Sequence, residues 1–210
     1  MKLLVAYDGS PCSESALDDI ARAGLPASGE AAVITVAEVW LPPPNGKAAE
    51  DSTPGFIDEI VRKHRERGER WLVQAGTMVK HAQTRLKNLL PDWKIDSQST
   101  YGSPANEVLS KAESFDPDLI VVGSHGHSPL GRLILGSVSS KLLTEAKCSV
   151  RVARGRIDVD PGPARLVIGF DGSDGAFNAV DAVVSRNWPE NSEVLLAAAT
   201  DSIVPTAIGR

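Results

Sequence analysis

The chain has 210 residues, 42% hydrophobic and only 5% aromatic, so it can bury one large or two small cores packed mainly by aliphatic side chains. A formal net charge of −5 offers no broad basic surface and argues against nucleic acid as a partner. Two cysteines, Cys12 and Cys148, are too few for a disulfide framework, no apolar run approaches a ~18-residue membrane span, and no secretory signal precedes Leu3, so a cytoplasmic protein without a membrane partner is expected.

The first apolar run, Leu3–Tyr7, reads as a strand buried on both faces. It ends in Asp8-Gly9-Ser10, where Ser10 is placed to N-cap a helix with Pro11 at its first position. Ala31–Val39 is a second buried strand, and Leu41–Gly55, with Pro42, Pro43 and Pro44, reads as a surface loop. The helical pattern over Phe56–Leu90 would be about 50 Å long if unbroken, so a break or bend is expected at Gly68 or Gly76. Its charge run Arg62–Arg70 reads as a solvated face. Trp93–Thr100 alternates as an edge strand does. Ser103 is placed to cap a third helix with Pro104 at its first position. Leu119–Val122 and Ser149–Ala153 are short buried strands flanking a fourth helix over Leu130–Glu145. Alternation of strands and helices predicts an α/β fold with a doubly wound parallel sheet.

Between those last strands lies Gly123–Ser137, GSHGHSPLGRLILGS. Glycines after a strand and ahead of a helix let backbone N–H groups approach an anion unobstructed, which suits a nucleoside di- or triphosphate. Gly131-x4-Gly136-Ser137 superficially resembles a Walker A loop but lacks its lysine, so a P-loop is excluded. No Ser–His–Asp set or carboxylate pair occurs at motif spacing, and no catalytic residue is expected. His125 and His127 lack evident further ligands for a metal, and Arg132 reads as a solvated helix residue.

The chain also repeats itself. Setting Asp8 against Asp171, an offset of 163, aligns Asp8-Gly9-Ser10 with Asp171-Gly172-Ser173. In that register Leu3 meets Leu166, Tyr7 meets Phe170, Pro26 meets Pro189 and Glu30 meets Glu193. Gly155–Ala164, GRIDVDPGPA, reads as a linker. Residues 1–154 are thus expected to form one domain and 165–210 the truncated start of a second, reading as strand, helix, strand without a counterpart of the glycine motif.

The Gly-x2-Gly-x9-Gly-Ser spacing resembles the ATP-binding pattern of the universal stress protein family. Lys2–Ser10 (KLLVAYDGS), Ala31–Glu38, Gly102-Ser103-Pro104 and Cys148–Arg154 resemble that family's first, second and last strands and its third strand-to-helix turn, so residues 1–154 are covered almost completely. The resemblance implies a Rossmann-like, five-stranded parallel sheet of order 3-2-1-4-5, as in adenine nucleotide α-hydrolases. Ligands in such sheets sit where the strand order reverses, which would bring Asp8 and Gly123 to one crevice.

Roles follow from the resemblance. Asp8 would lie near the ribose or a Mg²⁺ bridging the phosphates of ATP. Val36 would offer main-chain groups to adenine. Gly123 and Gly126 would line the ribose and phosphate path, Gly136 and Ser137 would hold the terminal phosphates, and Ser139 is a secondary phosphate candidate. Family members commonly associate through the last strand, which implies a homodimer through Ser149, Val150, Arg151, Val152 and Ala153. The implied function is an ATP-binding, nucleotide-dependent stress-response or regulatory module. A weak Mg-dependent ATPase and a nucleotide-free scaffold remain alternatives.

Overall fold

A computed structural model describes residues 1–38, 54–126, 135–154 and 162–198; between 54 and 67 only Glu66 has a described side chain. The chain divides into two compact units, Met1–Ala21 with Ala27–Val159, and Arg22–Pro26 with Asp160–Arg210.

The first unit runs β1 (Lys2–Ala6), α1 (Pro11–Asp19), β2 (Glu30–Ala37), α2 (Pro54–Leu89), β3 (Lys94–Tyr101), α3 (Pro104–Phe115), β4 (Leu119–Gly123), α4 (Ser137–Glu145) and β5 (Ser149–Ala153). The five strands are parallel in the order β3-β2-β1-β4-β5. Side chains alternate across a strand, and both faces of the central strands are apolar and buried. Leu4, Ala6, Ala32, Ile34, Ile120 and Val122 share one cluster with Val108 of α3 and Leu142 of α4. On the other face, α1 packs on β4 and β5, and α2 on β2 and β3. Helix α2 buries Ala75, Val79, Ala82 and Leu86, a stripe with the three- and four-residue spacing of one helix face.

Two expectations are corrected here. Helix α2 is one unbroken helix of 36 residues, about 54 Å long, with no break at Gly68 or Gly76. An interior glycine costs only ~1 kcal/mol of helix stability. Burying Val79 and Leu86 returns ~1.5–3 kcal/mol each, which outweighs it. Ser103 occupies the N-cap position of α3, but its side chain makes no cap hydrogen bond. The fourth helix begins at Ser137, while Leu130 lies outside the described residues. No helix among the described residues is long and apolar enough to cross a membrane.

The second unit contains β6 (Arg165–Gly169), α5 (Asp174–Val184) and β7 (Glu193–Ala197), with the two strands parallel. Their register, Arg165↔Glu193 to Gly169↔Ala197, is that of Lys2↔Glu30 to Ala6↔Ile34 advanced by 163. Local details repeat in the same register. Asp8 Oδ1 accepts from Ser10 N–H at 3.0 Å, and Asp171 Oδ1 from Ser173 N–H at 2.9 Å. The Oγ of Ser10 caps α1 and that of Ser173 caps α5, each accepting a backbone N–H at 3.2 Å. Gly9 and Gly172 share left-handed φ values of 75° and 80°.

Candidate functional site

The strand order reverses between β1 and β4, and the crevice beyond their carboxyl ends is built from three loops. The first is Asp8-Gly9-Ser10. The Asp8 carboxylate folds back onto Ser10 N–H, a turn that needs the left-handed φ of Gly9. Ser10 is fully buried and works in two directions. Its Oγ accepts from Ser13 N–H, capping α1, and donates to His125 O at 3.3 Å on the β4 side. One hydroxyl thus ties the two sides of the crevice together.

The second loop follows β4. A Cβ on Gly123 would lie 2.7 Å from Cys12 C and 2.8 Å from Ser13 N, so α1 begins directly against the end of β4. A Cβ on Gly126 would lie 2.8 Å from Asp8 Oδ2. Gly123 is therefore required by the close approach of backbone, whereas Gly126 lies against a movable carboxylate, the acidic group expected in the site.

The third segment is the start of α4. Ser124 O accepts from Gly136 N–H at 2.8 Å and from the Ser139 hydroxyl at 3.1 Å. Gly136 occupies the N-cap position, and no side chain caps α4, whose first residue is Ser137. Its first-turn N–H groups thus carry the partial positive charge of a helix N-terminus beside the β4 loop. Ser139 follows on the first turn of α4. It is 1% exposed, and its hydroxyl bridges Ser124 O and Gly136 O.

Val36 lies one residue before the end of β2, its side chain packed against the α3–α4 cluster. Ile34 O accepts from Tyr7 N–H, and Ala37 O accepts from Gly102 N–H on the β3 side. By the alternation of a parallel ladder, the main-chain groups of Val36 face the β1 side, two residues past the last β1 pairing at Ile34. That is an open donor–acceptor edge at the crevice.

All seven sequence-derived site residues, Asp8, Val36, Gly123, Gly126, Gly136, Ser137 and Ser139, fall on segments at this end of the sheet. His127 and Arg132 lie outside the described residues. Sequence reasoning missed the bridging roles of Ser10 and Ser124, because hydrogen bonds across 115 residues leave no local pattern. His125 Nδ1 sits 3.0 Å from Ser124 Oγ, and no group of three or more His, Cys, Asp or Glu could hold a metal among the described residues. Thr35 Oγ1 and His125 Nε2 are buried without a hydrogen-bond partner among the described residues.

Behind the crevice, the Tyr7 hydroxyl donates to Glu14, and Arg85 of α2 pairs with both Glu14 and Asp18 of α1. His81 Nε2 stands 3.3 Å from Glu14 Oε1. Burial first, then the hydrogen bond and charge of Glu14, push the Tyr7 hydroxyl well above the ordinary tyrosine range.

Comparison with known proteins agrees with this architecture. A sequence model described as "Universal stress protein family" matches residues 1–154. The universal stress protein YxiE of Bacillus subtilis (strain 168) is 31% identical over 156 residues, spanning 73% of this chain and 98% of that protein. The "Universal stress protein in QAH/OAS sulfhydrylase 3'region" of Thermus aquaticus is 32% identical over 152 residues, spanning 72% of this chain and 97% of that one. Among solved structures, a universal stress protein from Archaeoglobus fulgidus DSM 4304 superposes with a TM-score of 0.59 at 18% identity, over 95% of this chain and 79% of that chain, a likeness of fold. With the family matched over most of its length, this chain belongs to the universal stress protein family.

Proposed function

We propose that the first unit binds an adenine nucleotide, ATP with Mg²⁺, in the crevice between the β1 and β4 loops, and that the protein acts as a nucleotide-dependent stress-response module. The observation that carries this reading is the pairing of Gly126 with Asp8, where a Cβ added to the glycine would lie 2.8 Å from a carboxylate oxygen, so the loop after β4 meets Asp8 with bare backbone. Bare backbone at this point keeps side chains out of the way of an anion. The uncapped start of α4 at Gly136 and Ser137 adds N–H donors suited to phosphate oxygens. The main-chain edge of Val36 supplies the donor and acceptor that an adenine edge requires.

Asp8 fits a magnesium ion only as one ligand among several. It is a single carboxylate with Oδ1 engaged by Ser10 N–H, and Mg²⁺ commonly takes one or two carboxylates plus phosphate oxygens and water. A bound Mg²⁺ would offset phosphate charge, while Gly123, Gly126 and Ser137 orient the phosphate chain. The outer edge of β5 carries no partner strand among the described residues, and a homodimer through Ser149–Ala153 would cover it.

The test is to denature the purified protein, identify released small molecules by mass spectrometry, and titrate the nucleotide-free protein with Mg-ATP by calorimetry. Co-purified adenine nucleotide, or saturable ATP binding lost in Gly136→Val, supports the reading. Absence of nucleotide and of binding at millimolar Mg-ATP refutes it.

A further inference from the structure

Glu14 ties together both flanks of the Asp8–Gly9 turn. It lies on the first turn of α1, and its N–H donates to Ser10 O at 3.0 Å. Its carboxylate accepts from the hydroxyl of Tyr7, the residue just ahead of Asp8. Tyr7 N–H in turn donates to Ile34 O, which fixes that flank to β2. Asp8 and Gly9 are thus enclosed by a ring of bonds that runs from Tyr7 through Glu14 to Ser10. The same Ser10 donates to His125 O across the crevice.

Helix α2 holds this ring from outside. The two Nη atoms of Arg85 pair with Glu14 Oε2 and Asp18 Oδ1. Glu14 and Asp18 stand four residues apart on α1, where like charges repel, and one planar guanidinium offsets both. His81, one turn before Arg85, places Nε2 3.3 Å from Glu14 Oε1. Met78 lies against the turn itself, since a Cβ on Gly9 would meet its Cε at 3.3 Å. Met78, His81 and Arg85 have the three- and four-residue spacing of one helix face, so a single face of α2 grips the turn by packing and by charge.

The side chains of Arg85 and Glu14 are 33% and 32% exposed, and an ion pair that open to solvent contributes little to stability. Its place beside the turn gives it a different consequence. We propose that Arg85 is a positioning residue for the crevice: through Glu14 it fixes the Asp8–Gly9–Ser10 turn and so sets the affinity for the adenine nucleotide. The affinity part rests on the nucleotide reading above. Without Arg85, Glu14 and Asp18 repel each other, Glu14 is free to leave Tyr7, and the Asp8 carboxylate spends less time where the ligand needs it. A ligand whose site is competent for only a fraction of the time binds more weakly by that fraction.

The experiment compares the full chain with Arg85→Gln, Arg85→Lys and a control, Asp19→Asn. Asp19, at the other end of α1, accepts from Arg151 Nη2 of β5 at 2.9 Å, a pair of the same kind away from the turn. One readout is hydrogen exchange, without nucleotide, at the Ser10 amide that donates to Asp8 Oδ1. The other is the Kd for Mg-ATP by calorimetry. Arg85→Gln is expected to speed Ser10 exchange about tenfold and to weaken Mg-ATP by about 5- to 10-fold. Arg85→Lys, a point charge that serves one carboxylate at a time, should fall between that variant and the wild type. Asp19→Asn should lower the thermal transition yet leave both readouts within about twofold. Unchanged Ser10 exchange in Arg85→Gln overturns the proposal, as does faster exchange with an unchanged Kd. Equal changes in Asp19→Asn also overturn it, by reducing Arg85 to general packing of α1. A wild-type protein that binds no Mg-ATP refutes the nucleotide reading alone, and Ser10 exchange still decides whether Arg85 holds the turn.

Discussion

Adding a single methyl group at Gly126 separates ligand binding from folding. A Cβ there would stand 2.8 Å from Asp8 Oδ2, so the carboxylate must withdraw by about 0.6 Å to reach ordinary contact. The Asp8 side chain can rotate, but its other oxygen is held by Ser10 N–H. Weakening that charged hydrogen bond or forcing an off-rotamer side chain costs about 1–2 kcal/mol, a fall of roughly 2–8 °C in melting temperature. A displaced carboxylate and a methyl group in the phosphate path should also weaken Mg-ATP by about 10- to 100-fold. At ATP equal to 100 times the wild-type Kd, the wild type gains ~2.7 kcal/mol, and Gly126→Ala should gain only ~0.4–1.4 kcal/mol.

Gly123→Ala provides the contrast. Its Cβ meets backbone atoms of Cys12 and Ser13 at 2.7–2.9 Å, and backbone cannot rotate away. That variant should lose about 2–3 kcal/mol of stability with or without ligand. Thermal unfolding of both variants across an ATP titration is the assay. A Gly126→Ala protein that keeps the full wild-type ATP shift would refute the placement of the phosphate path beside Gly126 and Asp8.

Three further outcomes are expected. The folded state holds the Tyr7 proton above the unfolded tyrosine value of ~10, so unfolding releases a proton as pH rises and stability falls above pH ~10 by up to ~1.4 kcal/mol per unit; urea denaturation of Tyr7→Phe should lack that component, and identical pH profiles would contradict it. Gly76→Ala should stabilise α2 by about 0.5–1 kcal/mol, because its Cβ meets only Ser99 Oγ at 4.0 Å; chemical denaturation that shows a loss would indicate crowding on that face. Burial, reinforced by Asp118 and Asp116, raises the Cys148 thiol above its ordinary value, so iodoacetamide should label it more slowly at pH 8 than a small-molecule thiol, and equally fast only after denaturation.

Much of this architecture was readable without coordinates, for identifiable reasons. Strands buried on both faces leave continuous apolar runs, so Leu3–Tyr7 and Leu119–Val122 located β1 and β4 within a residue. Ser10 followed by Pro11 marked the start of α1, since capping is local chemistry between neighbours. The strand pairing of β6 with β7 has the register of β1 with β2 advanced by the 163-residue offset that aligned Asp8 with Asp171. Gly123, Gly126 and Gly136 stood out because glycine at fixed intervals after a strand signals close backbone approach.

Tertiary structure decided what depends on contacts distant in the chain. Whether α2 breaks at its glycines depended on the apolar stripe from Ala75 to Leu86 packing on β2 and β3, a gain no propensity contains. The hydroxyl of Ser139, a phosphate candidate by position, bonds the carbonyl of Ser124, 15 residues away, a contact no local pattern announces. The Ser10–His125 bridge and the approach of Gly126 to Asp8 exist only because parallel pairing sets β1 beside β4. Local pattern determined the elements and the residues free of side chains, whereas the sheet determined which of them meet.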